Sequence, residues 1–263
     1  MRIPEKNGLE NDDERYLYSH DADICGSFAD SERIGTIIRL VKGYSFGRKI
    51  LDVGCAQGNV STLLAEEGFE ATALDMNRNF LNYAKKKREF GKIAYVRANA
   101  MHLPFKADTF DAVILGEIME HVAYPERLIE AAKKVLKKEG ILIITTPNDH
   151  LLLGLLSGNK PEPFDFNLDQ RKKLVKKQFG PAGEDHLFVF DMGSLQKLVS
   201  EKNLSIIEKG HNNSGLINKL TFPLIFFLRK SFLQATDRLF VKLPFFKDRF
   251  SLGLYIACRK QDG

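Results

Sequence analysis

Short apolar, β-branched runs alternate with amphipathic stretches through the first half of this chain, and that alternation limits the fold more than any other feature. The runs are Lys49–Val53, Ala71–Leu74, Ile93–Val96, Ala112–Leu115 and Ile141–Thr145. Between them, Asn59–Glu67, Phe80–Phe90 and Glu126–Lys137 place apolar residues at helical spacing. Strands that alternate with helices at this pace build βαβ units, because two parallel strands need a crossover between them. The expected class is therefore α/β, a parallel sheet with helices packed on it. "KKEGILIITTPN" predicts a helix that ends before Gly140 and a strand that runs to Pro147, which has no amide proton to continue a ladder. Ser31–Val41 reads as a helix opening on a capping serine, and Met192–Lys202 as a later helix. Leu204–Glu208 and Leu254–Cys258 read as two further strands.

The 263 residues suit one domain with a sizeable core. Residues 1–30 are polar and read as an arm, residues 31–148 as the repeating core, and residues 149–185 and 211–250 as two insertions. A formal net charge of +5 is mild, and the basic runs Lys85–Phe90 and Arg171–Lys177 read as solvated helix faces. No nucleic-acid partner is expected, since aromatic residues are not interleaved with these cations. Cys25, Cys55 and Cys258 form no CxxC pair, which argues against a disulfide framework or a zinc site. With no apolar leader and no run of about 20 apolar residues, the expected location is cytoplasmic.

The loop "ILDVGCAQG" at Ile50–Gly58 follows the first strand, where a ligand can meet a tight turn and a helix N-terminus. A dinucleotide, a phosphate and an adenosyl sulfonium are all held by loops of this shape. The spacing D-x-G-x-x-x-G, from Asp52 through Gly54 to Gly58, lacks the third glycine of a pyrophosphate fingerprint and the lysine of a phosphate loop. Asp75 ends the second strand, where a carboxylate can accept from a ribose diol or simply close a turn.

Five segments in order, "ILDVGCAQG", "ALDMN", "RANAMHLPF", "FDAVILGEIMEHV" and "LKKEGILIITTPN", resemble the class I S-adenosylmethionine-dependent methyltransferases. Within that family the chain is most similar to the small-molecule branch that includes the ubiquinone-biosynthesis O-methyltransferases. The resemblance spans about Lys49–Asn148 and continues more faintly through Glu184–Glu208. It implies a Rossmann-like, doubly wound, mostly parallel seven-stranded sheet with an antiparallel last strand. It also implies S-adenosylmethionine as cofactor and S-adenosylhomocysteine as product. Asp52, Gly54 and Gly58 would hold the amino-acid end, Asp75 the ribose, Met76 the adenine face, and Asn99 with Ala100 the adenine edge. Leu115, Gly116 and Glu117 would close over the methionine chain. Two positions depart from the family pattern: Ala56 stands where glycine is common, and Asn99 where aspartate is common.

Methyl transfer to a hydroxyl needs the acceptor to lose a proton, through a base or a metal. His121 and His186 are the catalytic candidates, and a divalent metal held by them with Glu117 and Glu120 is a second reading of the same cluster. The phenylalanine-rich stretch Phe222–Phe250, threaded with lysine and arginine, is expected to cover a small, apolar or lipid-like acceptor and to offer a peripheral membrane contact. The two insertions together are expected to form the acceptor cap. Oligomeric state is not legible. Two other functions fit a sheet of this kind: a nicotinamide-dependent oxidoreductase, and a homologue that binds the cofactor without turnover.

Overall fold

A computed structural model describes residues 28–87, 91–148, 162–164, 167, 172, 174–175, 186–214 and 251–261. Seven strands form one sheet: β1 (Lys49–Val53), β2 (Glu70–Asp75), β3 (Lys92–Arg97), β4 (Phe110–Gly116), β5 (Leu136–Pro147), β8 (Leu204–Ser214) and β9 (Ser251–Lys260). Their order across the sheet is β3-β2-β1-β4-β5-β9-β8. Neighbours from β3 to β5 run parallel, whereas β9 lies antiparallel to both β5 and β8. The last strand is thus the one reversed strand, and the architecture is the Rossmann-like, doubly wound sheet expected. A small parallel pair, β6 (Glu162–Pro163) and β7 (Phe188–Val189), sits apart from it.

Side-chain alternation along the strands builds a core on each face. Ile50, Ala112, Ile114, Ile141 and Ile143 pack with Ile34, Ile37, Leu40 and Val41 of α1 (Phe28–Tyr44) and with Val60 and Leu64 of α2 (Asn59–Glu66). Ala71, Ala73 and Ile93 meet Leu81 of α3 (Arg78–Lys87) on that face. Leu51, Val53, Val113, Leu115, Leu142 and Ile144 face the other way, onto α4 (Pro125–Val135) and α5 (Met192–Ser200). α4 opens on a proline in its first turn, and α5 on a capping box in which Asp191 Oδ1 accepts from Ser194 N at 2.6 Å.

Three sequence expectations change. The helix expected over Glu126–Lys137 ends before Gly140 as predicted but two residues early, at Val135, and Leu136 already pairs with Phe110 in β5. The ladder then jumps to Ala112 beside Ile141, so residues 137–140 bulge, with Glu139 at φ 58°. Lys137 Nζ donates to Asp111 Oδ1 at 2.8 Å across that bulge. Ser31 caps nothing, because α1 starts earlier at Phe28 and so also shortens the expected arm. Residues 211–214, read from sequence as the start of the second insertion, belong to β8. Its phenylalanine-rich stretch, Phe222–Phe250, lies outside the described residues.

Candidate active site

The chain crosses from one face of the sheet to the other between β1 and β4, and the crevice at their carboxyl ends is where open α/β sheets bind ligands. The loop after β1 is folded tightly into it. Gly54 N and Cys55 N both donate to Leu74 O of β2, at 2.8 and 3.0 Å. Gly54 has φ 71° and lies so close to Ile118 that a Cβ would come within 2.7 Å of its Cδ1. Ala56 occupies the same left-handed region at φ 45°, which costs an L-residue about 1–2 kcal/mol. The glycine common at that position in the resembling family is thus explained by backbone geometry.

Each expected cofactor residue has a definite place. Asp52 is buried beneath the loop on the α1 face, and its Oδ2 accepts from Ser61 Oγ at 2.6 Å. Burial pushes its carboxyl up to about 6, against the pull of Ser61 and Arg33. Gly58 opens α2 at φ 73°. Asp75 Oδ2 accepts from Ala56 N at 3.0 Å and Oδ1 from Asn77 N at 2.8 Å, so the acid at the end of β2 braces the glycine loop. Met76 beside it is 48% exposed, an uncommon state for methionine and a suitable one for covering a flat ring. Asn99 Oδ1 accepts from Met101 N at 2.9 Å, which makes it a turn residue whose oxygen keeps a second lone pair. Ala100 packs into the core next to it. Leu115 is fully buried, while Gly116 and Glu117 are partly exposed at the end of β4. Glu117 turns there at φ 51°, with its N–H donated to Thr145 O at 3.0 Å.

Four residues further along, the expected acceptor side takes shape. Met119–His121 is a single 3-10 turn rather than a helix, so Glu117, Glu120 and His121 do not share a helical face. Glu120 Oε2 accepts from Thr146 Oγ1 at 3.1 Å, while its buried Oε1 has no hydrogen-bond partner. Burial, and then the negative charge of Glu117, hold the Glu120 carboxyl well above its usual range. His186 arrives from beyond the first insertion. Leu187 N donates to Glu120 O at 2.8 Å, and the packed rings of Phe164, Phe188 and Phe190 anchor the segment. That places the His121 and His186 rings 4.9 Å apart, centre to centre. One ligand atom each from Glu120, His121 and His186 lie within 4.8 Å of one another, a set from which Glu117 is left out. A buried carboxylate oxygen without a partner, beside two imidazoles, suits a divalent cation.

Residues 51–144 match the methyltransferase domain family. Over that stretch the chain is similar to a methyltransferase domain. Over 110 residues it is 34% identical to the ubiquinone biosynthesis O-methyltransferase of Haemophilus ducreyi, a stretch that is 39% of this chain and 47% of that protein. The chain thus spans about half the length of the curated relatives it matches. Among solved structures, an S-adenosylmethionine-dependent methyltransferase from Archaeoglobus fulgidus superposes with a TM-score of 0.59 at 16% identity, covering 94% of this chain and 100% of that one. The magnesium protoporphyrin IX methyltransferase of Synechocystis, solved with S-adenosylhomocysteine bound, gives 0.59 at 14% identity and covers 95% and 94%. At such identities these likenesses show the fold alone.

Two residues of this domain escaped the sequence reading. Arg33 of α1 brings Nη1 within 3.6 Å of where a Cβ on Gly116 would be, and its charge acts on both Asp52 and Glu120. Thr146 orients Glu120. Arg33 sits in an ordinary amphipathic helix and carries no local signal. Thr146 could have been found from strand alternation, which puts it on the face opposite Thr145.

Proposed function

We propose that the protein is an S-adenosylmethionine-dependent methyltransferase that transfers a methyl group to a hydroxyl of a small acceptor. The observation that carries this reading is the meeting of His121 and His186 beside the unpartnered oxygen of Glu120, a few residues from a cofactor-type crevice. S-adenosylmethionine supplies a methyl carbon already activated for displacement. Asp52 would face its ammonium, Arg33 its carboxylate, and the second lone pairs of Asp75 its ribose hydroxyls. Met76 would lie on the adenine, and Asn99 with Ala100 at its edge. Gly54, Gly58, Leu115, Gly116 and Glu117 would wall the methionine chain. In the transfer, a carbon–sulfur bond breaks as a carbon–oxygen bond forms, and the acceptor proton leaves.

Glu120, His121 and His186 would hold a divalent cation, with Mn²⁺ or Zn²⁺ better suited than Mg²⁺ to two imidazoles. Such an ion supplies a Lewis acid that lowers the pKa of an acceptor hydroxyl. His186 and His121 then fix the position of that oxygen, and the buried walls around them exclude water. Labelled methyl transfer to a panel of phenols and catechols, with and without a chelator, tests this. No transfer under any condition would overturn the enzymatic reading. Transfer indifferent to chelator would leave the imidazoles as the base.

The sequence expectations for the rest of the chain join this proposal. The phenylalanine-rich stretch would cap an apolar acceptor and contact a membrane surface, which liposome flotation checks. Among the described residues no helix is long and apolar enough to cross a membrane. The proposed location is cytoplasmic.

A further inference from the structure

Helix α1 reaches the cofactor crevice at its N-terminal half and is tied to the far edge of the sheet at its C-terminal half. The tie centres on one carboxylate. Glu208 of β8 accepts from Arg39 Nη2 at 2.6 Å and Nη1 at 3.1 Å, from Tyr44 Oη at 2.8 Å and from Tyr255 Oη at 3.0 Å. Arg39 and Tyr44 belong to α1, whereas Tyr255 belongs to β9, the neighbouring strand. Tyr255 lies over Gly210 so closely that a Cβ there would stand 2.5 Å from its hydroxyl. A second link runs one turn earlier, from Thr36 Oγ1 to Asn212 Oδ1 at 3.0 Å. One turn earlier again comes Arg33, beside Gly116.

We propose that Glu208 is a positioning residue for cofactor binding, which acts by fixing the register of α1 on the sheet and hence the place of Arg33 over the crevice. The inference rests on reading that crevice as the cofactor site. A forked guanidinium–carboxylate pair resists both sliding and rotation of a helix, because both N–H bonds must stay in plane with the carboxylate. Tyr44 of α1 and Tyr255 of β9 hold further lone pairs, so the carboxylate is braced from the helix and from the sheet together. Apolar packing alone would let a one-residue slip of α1 be partly accommodated. A slip moves Arg33 by about 100° around the helix axis and away from Gly116.

Calorimetry with S-adenosylhomocysteine tests the idea on the full chain, using Glu208→Gln, Arg33→Ala and the double variant. The expected result is a dissociation constant about tenfold weaker for Glu208→Gln, with the double variant no weaker than Arg33→Ala alone. Such non-additivity marks two residues acting through one contact. The binding stoichiometry should stay at one, whereas a general loss of stability would lower the fraction of molecules that bind. Should Glu208→Gln fail to fold, Tyr255→Phe removes a single bond to the same carboxylate and should show a smaller loss of the same kind. Wild-type affinity in these variants, or losses that simply add, would overturn the proposal and leave the cofactor site standing. No binding by the wild-type chain would overturn both together.

Discussion

The two halves of the candidate site are built in opposite ways. On the cofactor side, Asp52, Asp75 and Asn99 sit at the ends of strands or in the turns that follow them, and each is engaged by its neighbours. Asp75 braces the loop through Ala56, Asp52 is held by Ser61, and Asn99 closes its own turn. The acceptor side is assembled from a 3-10 turn and from a segment that returns after the first insertion. It leaves a buried carboxylate oxygen without a partner. The first half is a preformed socket of satisfied groups. The second brings a buried carboxyl group and two imidazoles together, and a buried polar atom without a hydrogen bond costs roughly 1–3 kcal/mol.

The contrast breaks most visibly at His186. His186→Ala or Glu120→Gln should lower kcat by about two to four orders of magnitude while leaving S-adenosylhomocysteine affinity unchanged, as steady-state kinetics beside calorimetry would show. Cofactor affinity that falls in parallel would mean the two halves are one unit. Next in size, Asp75→Ala should weaken cofactor binding by about 1–3 kcal/mol, with added loss of loop order because Ala56 N loses its acceptor. Asp75→Asn, which keeps an oxygen for that amide, should lose less.

pH separates the halves again. Burial has raised the Asp52 carboxyl to about 6, with Ser61 and Arg33 opposing and Asp75 adding to the rise. Because the folded value lies above the ordinary one, ionised Asp52 destabilises the empty protein as pH rises through about 6. A cofactor ammonium favours the ionised form and relieves that penalty. Stabilisation by S-adenosylhomocysteine, read as a melting shift, should therefore grow from pH 5 to pH 7 and be lost as pH falls. A shift independent of pH would remove Asp52 from the ammonium site. The smallest effect belongs to Ala56→Gly. Release from φ 45° is offset in part by the freer unfolded chain, leaving a net gain of about 0.5 kcal/mol, or one to two degrees in melting temperature.

The sequence exposed the two halves unequally for the same physical reason. β1 is readable to the residue, with Asp52, Gly54 and Asp75 at strand ends and Gly58 at the start of α2, because period-two alternation and turn glycines are local signals. Helix ends were less legible. α4 ends at Val135, short of the expected Lys137, since the bulge at residues 137–140 is decided by pairing with β4 and by the Asp111–Lys137 contact. The acceptor side depends on chain returning from far away. The motif E-x-x-E-H announced Glu120 and His121, but that His186 joins them follows from Leu187 pairing with the Glu120 carbonyl, which no window of sequence contains. Arg33 is the extreme case, a position beside Gly116 set wholly by how a helix docks.

The reversed strand β9 lies between β5 and β8 although it is the last of them in the chain. Synthesis proceeds from the N-terminus, so β1 through β5 can pair, and the glycine loop can close, while residues beyond 148 are still being made. β8 emerges next with nothing beside it, and the apolar edge of β5 from Ile141 to Ile144 stays open until Ser251–Lys260 slots in. An open edge of that kind invites pairing with another chain. Tyr255 also arrives with that strand, so the knot around Glu208 can tighten only at the end. The nascent protein therefore acquires its cofactor loop early and the clamp on its first helix last, with an exposed sheet edge to protect for the interval between.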